Sequence, residues 1–361
     1  MKTVRVYQDF HLLPKTYHDL FRTGENQNGV FFSAEWFMNL ERAALAKEGE
    51  LRLYAVESDS TALLALPMFA PRQSGRFGLR KLSAFANYYT SLFGPVSPRP
   101  TLEDSDNMQL LAESIAQEAP RWDIVDLHPL DSQSPAYQCT LQALRRAGMV
   151  VQPYFCFGNW YLEVAGRSYH EYFATLPSKL RNTVKRKSAQ LEKNGAVSIR
   201  ILTSLEDVSD GIAAFNRVYA VSWKDPEPYE EFMPGLIRLC AERGWLRLGV
   251  AYLDERPVAA QLWIVCAGVA SIYKLAYDEQ FGHLSIGTIL TSRLLEHVID
   301  VDRVREVDYL TGDEPYKKDW MSHRRERWGI VAFNLRTARG MLAALCHIGG
   351  RTLKRLIART R

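Results

Sequence analysis

Residues 282–288 stand where an anion-binding turn would be expected. They follow a predicted strand directly and come just before a predicted helix. The first backbone N–H groups of a helix have no partners within it, and the positive end of the helix dipole lies there, so phosphate is attracted. Gly287 has no Cβ and would let phosphate oxygens approach the backbone. The candidate anion seat consists of His283, Ser285, Ile286, Gly287 and Thr288. The alternative is a helix that Ser285 merely caps.

Two carboxylates flank the end of a second predicted strand, at residues 304–310. A carboxylate, directly or through a water, can accept a proton from a reacting group. Asp308 is slightly favoured over Asp313 because it stands in an otherwise apolar strand, where removal from water makes a carboxylate a stronger proton acceptor. A buried aspartate that only accepts backbone hydrogen bonds fits the pattern equally well.

The composition is that of a soluble globular protein, with 47% hydrophobic and 24% charged residues in a chain of 361. This length favours two domains. The five cysteines are widely spaced and lie mostly in apolar runs, and residues 1–15 lack the apolar core of a signal peptide, so we expect a cytoplasmic protein. The eight histidines show no pair at metal-ligand spacing, so we expect no metal site.

The net charge of +4 comes from one end of the chain. Residues 336–361 carry seven basic residues and no acidic one, interleaved with apolar residues, which is compatible with a helix on an anionic membrane surface. A terminal helix docked on the protein itself is the alternative. A second basic cluster lies on a predicted helix that opens at Pro177-Ser178 and ends at Asn194-Gly195, where it is either a solvated face or a cationic rim for an anionic ligand.

Hydrophobic periodicity gives the same broad order of elements in both halves of the chain. After residue 195 it predicts strand, two helices, a three-strand antiparallel meander, a helix and two further strands. The first half repeats this order more faintly, with a strand near 88–96 and a helix from 103. We therefore predict an α/β (α+β) protein of two tandem similar domains, each a mixed, mostly antiparallel sheet flanked by helices.

Several segments together resemble a known family. They are residues 176–187, the meander, Ser285-Ile286-Gly287, Asp308 and residues 312–320, in which the Gly-Asp-Glu-Pro-Tyr-Lys run at 312–317 is the most specific signal. The chain resembles the BioF2-like branch of the GNAT acetyltransferases, which is related to the FemABX peptidoglycan peptidyltransferases. The resemblance implies a degenerate GNAT-like domain at 1–165 that shapes the acceptor site, a GNAT acyltransferase domain at 166–335, and a basic tail at 336–361.

The resemblance also implies a co-substrate, acetyl-CoA or another acyl-CoA, with its pyrophosphate on the anion seat and its thioester in a fork between the fourth and fifth strands. The seat departs from the usual GNAT loop, since one glycine is missing and His283 replaces the usual basic residue. Tyr277 or Tyr316 would protonate the departing thiolate, or serve only as an aromatic wall. Lys317 would pair with donor phosphate or with Asp313.

Three functions are compatible with these residues. The leading one is acyl-CoA-dependent N-acylation of an amino sugar, an amino acid or a lipid-linked saccharide amine, in envelope or exopolysaccharide synthesis. The second is FemABX-like transfer of an aminoacyl group from tRNA, with the basic helix contacting phosphates. The third is a catalytically silent scaffold that binds polysaccharide. If the tail contacts an anionic membrane, we expect that contact at its cytoplasmic face, through residues 336–361.

Overall fold

The computed structural model describes residues 1–72, 78–98, 104–194 and 197–359. The chain forms two compact units. Unit one contains Met1–Phe157 and Glu326–Arg361, and unit two contains Gly158–Arg325. The chain passes from one unit to the other within two strands. The functional domain boundaries expected from the sequence, at 165/166 and 335/336, remain predictions.

Unit one is a sheet with helices around it. Its strands are β1 (Lys2–Tyr7), β2 (Gly49–Ser58), β3 (Thr61–Pro71), β4 (Lys81–Ala84), β5 (Ile124–Asp131), the first part of β6 (Met149–Glu163) and most of β12 (His323–Asn334). Its helices are α1 (Lys15–Asn28), α2 (Ala34–Leu40), α3 (Asp104–Gln117), α4 (Pro135–Arg146) and α11 (Ala338–Arg359). Strands β1 to β4 pair antiparallel in sequence order, β4 and β5 are parallel, and β12 joins β5 antiparallel.

Unit two repeats this pattern. Its strands are β7 (Val197–Leu202), β8 (Leu246–Leu253), β9 (Arg256–Cys266), β10 (Val269–Tyr277), β11 (Glu306–Asp308) and the last part of β6. Its helices are α5 (Tyr169–Thr175), α6 (Ser178–Asn194), α7 (Val208–Ala220), α8 (Phe232–Glu242), α9 (Ile286–Glu296) and α10 (Lys317–Trp320). Strands β7 to β10 pair antiparallel, β10 and β11 are parallel, and β6 joins β11 antiparallel.

The predicted fold class is confirmed: each unit has a mixed, mostly antiparallel sheet flanked by helices. In unit two, α9 covers one face of the sheet, where Ile286, Leu290 and Leu294 are fully buried in a core shared with Trp263 of β9. Burying such side chains stabilises a fold by about 1.5–3 kcal/mol each. This packing fixes the position of the first turn of α9.

Some local predictions were wrong. The strand expected at 88–96 contributes only a single bridge, between Val96 and Ala65, and the strand in this region is β4 instead. Helix α5 was not predicted. The helix stop expected at Gly195 and the helix start expected at Glu103 lie outside the described residues.

Helix α11 carries the basic tail, and the structure describes its side chains as far as Ile348. Four large apolar side chains on this helix are 41–70% exposed, namely Met341, Leu342, Leu345 and Ile348. The predicted pattern from 349 onward lies outside the described side chains. No helix in the described parts of the chain combines the length and apolar character needed to cross a bilayer.

Candidate active site

The sheet of unit two opens into a fork between β10 and β11. The two strands pair only over three residues each, ending at Ser271 and Asp308. Beyond that point β10 stays with β9 as far as Tyr277, and the ladder shifts register at a bulge between Ile272 and Lys274. The chain after β11 instead follows β6, since the Tyr309 N–H donates to the Trp160 carbonyl at 2.9 Å. The fork predicted from the resemblance is therefore present.

Helix α9 begins at the mouth of this fork. A turn follows β10 and is fixed by Asp278, which is 2% exposed, accepts a hydrogen bond from the Gln280 N–H and pairs with Arg256 at 2.6 Å. Ser285 then adopts φ 55°, in the left-handed region, and its side chain makes no capping bond to the helix. The capped-helix alternative is therefore wrong, and the first-turn amides stay available to a ligand.

A buried polar network holds the first turn of α9 against β9. The Gln261 side chain is 2% exposed and donates to the Gly287 carbonyl at 3.0 Å and to the Thr291 hydroxyl at 2.9 Å. Its own oxygen accepts from the Trp263 indole at 3.0 Å. Because an unmade bond at this depth costs about 1–3 kcal/mol, the network keeps the seat in place.

A cavity of about 410 Å³ joins the helix start to the fork. It is lined by Leu180, Trp223, Gln261, Leu275, Ala276, Tyr277, Gly282, Ser285, Ile286, Gly287, Thr288, Thr291, Tyr309, Tyr316, Asp319 and Trp320. Six of the predicted site residues thus surround one cavity: Tyr277, Tyr316 and four members of the anion seat. The other four, Asp308, Asp313, His283 and Lys317, are not part of its lining.

Asp308 is 6% exposed and is held by donors. One oxygen accepts from the Leu310 N–H at 2.6 Å and from the Asn159 side chain. The other pairs at 2.6 Å with Arg325, which also binds Glu306 at 2.6 Å. This is the arrangement expected of an aspartate that organises the end of a strand.

Asp313 is half-exposed and forms a two-point ion pair with Arg324, with N–O distances of 2.9 and 2.6 Å. The Trp160 indole also donates to it at 2.8 Å. The hydrogen bond from Arg324 lowers the pKa of Asp313 below its ordinary value. Asp313 therefore remains ionised near neutral pH, which favours a fixed charge over a group that exchanges protons.

Lys317 is only 4% exposed and lies inside its own loop. Its ammonium donates to the Thr311 carbonyl at 2.5 Å and pairs with Glu314 at 2.7 Å. Burial alone would raise the pKa of Glu314, but the bond from Lys317 brings it below its ordinary value. The predicted pairing of Lys317 with Asp313 is not seen, because Arg324 occupies that carboxylate.

Two of the predicted tyrosines line the cavity. The Tyr277 ring lies 4.7 Å from that of Trp223, and a Cβ built on Gly287 would come within 3.3 Å of Tyr277. The Tyr316 ring meets the buried Tyr309 ring edge-on at 5.8 Å. Burial raises the pKa of Tyr316 to about 12, so its phenol keeps its proton near neutral pH.

The His283 side chain is exposed and does not line the cavity, yet its backbone carbonyl links the basic helix to this site. The Lys187 ammonium donates to the His283 carbonyl at 2.8 Å, which places a cation of α6 next to the start of α9. The predicted cationic rim and the predicted anion seat are therefore neighbours. A cation next to a helix N-terminus adds to the attraction for a phosphate.

Residues 178–318 match the family model described as Acetyltransferase (GNAT) domain. The chain is an acyltransferase. Among solved structures it is similar to FemX, with a TM-score of 0.62 at 10% identity over 93% of this chain and 97% of that one. L-PGS from Bacillus licheniformis gives a TM-score of 0.53 at 11% identity, covering 94% and 96% of the two chains. These likenesses establish the fold alone. No curated protein matches the sequence.

Sequence reasoning missed several residues of the cavity. Gln261 had a usable signal, since it is the one polar side chain in a long apolar run. Asp319 belongs to the segment that carried the resemblance but received no role. Trp223 and Tyr309 gave no signal, because an aromatic residue beside a helix or strand usually belongs to the core.

Proposed function

We propose that the chain is an acyl-CoA-dependent N-acyltransferase. Its acceptor is an amine of an amino sugar, an amino acid or a lipid-linked saccharide. The BioF2-like resemblance implies a role in envelope or exopolysaccharide synthesis. One observation carries the proposal: a single cavity joins the unblocked start of α9 to the fork between β10 and β11. If the donor phosphates bind at the start of α9, the thioester would lie in the fork between β10 and β11. GNAT-fold enzymes generally use this class of donor.

The step follows from the groups around the cavity. The acceptor nitrogen attacks the thioester carbonyl, a C–N bond forms, and the C–S bond breaks. Backbone N–H groups freed where β10 leaves β11 would stabilise the negative charge on the carbonyl oxygen. The nitrogen loses its proton to a carboxylate, and the thiolate takes one from Tyr316 or Tyr277.

We assign the proton acceptor to Asp319, which lines the cavity and is exposed to solvent. Asp308 and Asp313, predicted from the sequence, remain proposals for the same role. Their bonds to Arg325 and Arg324 weaken the case for both.

The test is a panel of donors offered to the purified chain. Acetyl-CoA and longer acyl-CoA esters are expected to raise the melting temperature and, with an amine such as glucosamine, to release CoA. Aminoacyl-tRNA is the matched alternative donor, as the resemblance to the FemABX peptidyltransferases implies. If only the charged tRNA supports transfer, with binding that falls steeply with salt, the FemABX-like function replaces this one. If neither donor binds, a silent scaffold is the better description.

The proposal includes contact with an anionic membrane through α11. Its exposed apolar stripe and the basic residues of 336–361 provide the two attractions that an interfacial helix needs. In a flotation experiment, the full chain should rise with vesicles that contain phosphatidylglycerol. With vesicles of neutral phosphatidylcholine alone it should stay at the bottom of the gradient. If removal of residues 340–361 leaves flotation unchanged, the tail is not the contact.

A further inference from the structure

Five charged side chains of unit two form a cluster beside the cavity, which we call the lysine cluster. Its members are Lys224, Glu227, Lys274, Glu314 and Lys317. Two ion pairs account for four of them: Lys274 lies 2.6 Å from Glu227, and Lys317 lies 2.7 Å from Glu314. The three lysines therefore exceed the two glutamates by one positive charge, and that charge belongs to Lys224.

Lys224 is half-buried without a counterion of its own. Among the described residues, no carboxylate lies within ion-pair distance of its ammonium group. Burial lowers the pKa of Lys224, and the nearby charges of Lys274 and Lys317 lower it further. The charges of Glu227 and Glu314 raise it, but the net shift is downward. A cation in this position is stabilised when an anion arrives.

The lysine cluster and the cavity share their walls. The Lys224 ammonium lies 5.7 Å from the ring centre of Trp223, a residue that lines the cavity. The Lys317 ammonium lies 5.6 Å from the ring centre of Tyr309, which lines it as well. Lys224 is not itself part of the lining, but its ammonium group lies directly beside the wall that Trp223 contributes.

We propose that Lys224 binds an anionic oxygen group, a carboxylate or a phosphate, carried by the acceptor amine. The acceptor class then narrows to amino acids and to amino sugars that bear a phosphate. This inference rests on the proposed acyltransferase function. The anion seat at α9 remains the place of the donor phosphates, so donor and acceptor each have their own cationic contact.

Turnover with paired acceptors tests the assignment and distinguishes the two anions. One pair is L-alanine and L-alaninamide, and the other is glucosamine 6-phosphate and glucosamine. In Lys224→Gln, kcat/KM should fall roughly 10- to 100-fold for the anionic member of the preferred pair, and by less than about twofold for its neutral partner. Lys224→Arg should keep most of the preference. Lys318→Gln removes an exposed lysine of α10 and controls for general loss of positive charge.

Equal losses for the anionic and neutral members would overturn the proposal, as would a rise in the KM of the acyl-CoA with no change for the acceptor.

A second measurement does not need turnover. In reductively ¹³C-methylated full-length protein, the Lys224 signal is identified by its absence from Lys224→Arg. It should shift on addition of glucosamine 6-phosphate or L-alanine, and not with the neutral partners. A shift without acyl transfer would reject the acyltransferase function alone; a signal that neither anion moves would reject the role of Lys224.

Discussion

Under the proposed function, Gly287 is the residue on which donor binding should depend most directly. A Cβ there would lie 3.3 Å from Tyr277, and the branched side chain of valine would push that ring into the cavity and cover the first-turn amides. We expect Gly287→Val to weaken acyl-CoA binding by at least roughly tenfold, the equivalent of about 1.4 kcal/mol, as measured by titration calorimetry. Gly287→Ala should give a smaller loss. An unchanged dissociation constant for Gly287→Val would place the phosphates elsewhere.

The carboxylates can be separated by measuring stability and transfer together. Asp308→Asn leaves Arg325 with one carboxylate fewer in a buried network, so the free energy of unfolding should fall by about 2 kcal/mol or more. Asp319→Asn, at an exposed position, should change it by less than about 0.5 kcal/mol and slow acyl transfer with donor binding intact. Chemical denaturation and single-turnover rates give the two quantities. A slow but fully stable Asp308→Asn would restore Asp308 as the base.

The raised pKa of Tyr316 predicts the alkaline side of the pH profile. An ordinary phenol, with a pKa near 10, would begin to lose its proton there, whereas burial moves the pKa of Tyr316 to about 12. Transfer should therefore rise as the amine loses its proton and show no fall through pH 10. Tyr316→Phe should lower the rate without changing the shape of the profile. A fall centred near pH 10 that Tyr316→Phe abolishes would contradict this assignment.

The sequence predicted the turn and the glycine that begin α9 but not the state of the carboxylates. The seat is local, because a glycine, a turn and the start of a helix stand within a few residues of each other. Asp308 depends instead on Arg325 and on Asn159, which lies 149 residues away in sequence. No pattern in a single sequence reveals such a partner, so the choice between a base and an ion-pair member stayed open.

At the scale of the elements, periodicity predicted the meander well. The turn between β8 and β9 has φ of 48° at Asp254 and 63° at Glu255, as in a two-residue hairpin whose twist matches that of its strands. In unit one, β4 has only four residues, too few for alternation to be recognised. Residues 88–96, expected as a strand, contact β5 by a backbone hydrogen bond, in which the Phe93 N–H donates to the Pro129 carbonyl at 2.6 Å.

The loop before α10 should behave as a positioning element rather than as a phosphate contact. Lys317 holds it through Thr311 and Glu314, and the same loop carries Tyr316 to the cavity. Lys317→Met should slow transfer and speed hydrogen exchange in residues 311–320 while leaving CoA affinity within about twofold, because the lost bonds lie within the loop. If CoA affinity falls and pantetheine affinity does not, Lys317 contacts phosphate after all.

At the scale of the whole molecule, each unit contains a strand from the other half of the chain. Residues 161–163 of β6 pair with β11 in unit two, and residues 327–333 of β12 pair with β5 in unit one. Repeated element order suggested two similar domains, but the exchange of strands depends on pairings between distant residues. A sequence pattern predicts that a strand exists and leaves its neighbour undetermined.

This exchange predicts which fragments fold. A fragment of residues 166–335 loses the strand that pairs with β11, together with Asn159 and Trp160, which bind Asp308 and Asp313. It also exposes the edge of β11 where Val307 is fully buried in the full chain. We expect this fragment to aggregate or to melt without a cooperative transition in calorimetry. A fragment of residues 158–325 keeps every one of these contacts and should melt cooperatively. Equal, sharp transitions in both fragments would show that β6 is dispensable for unit two.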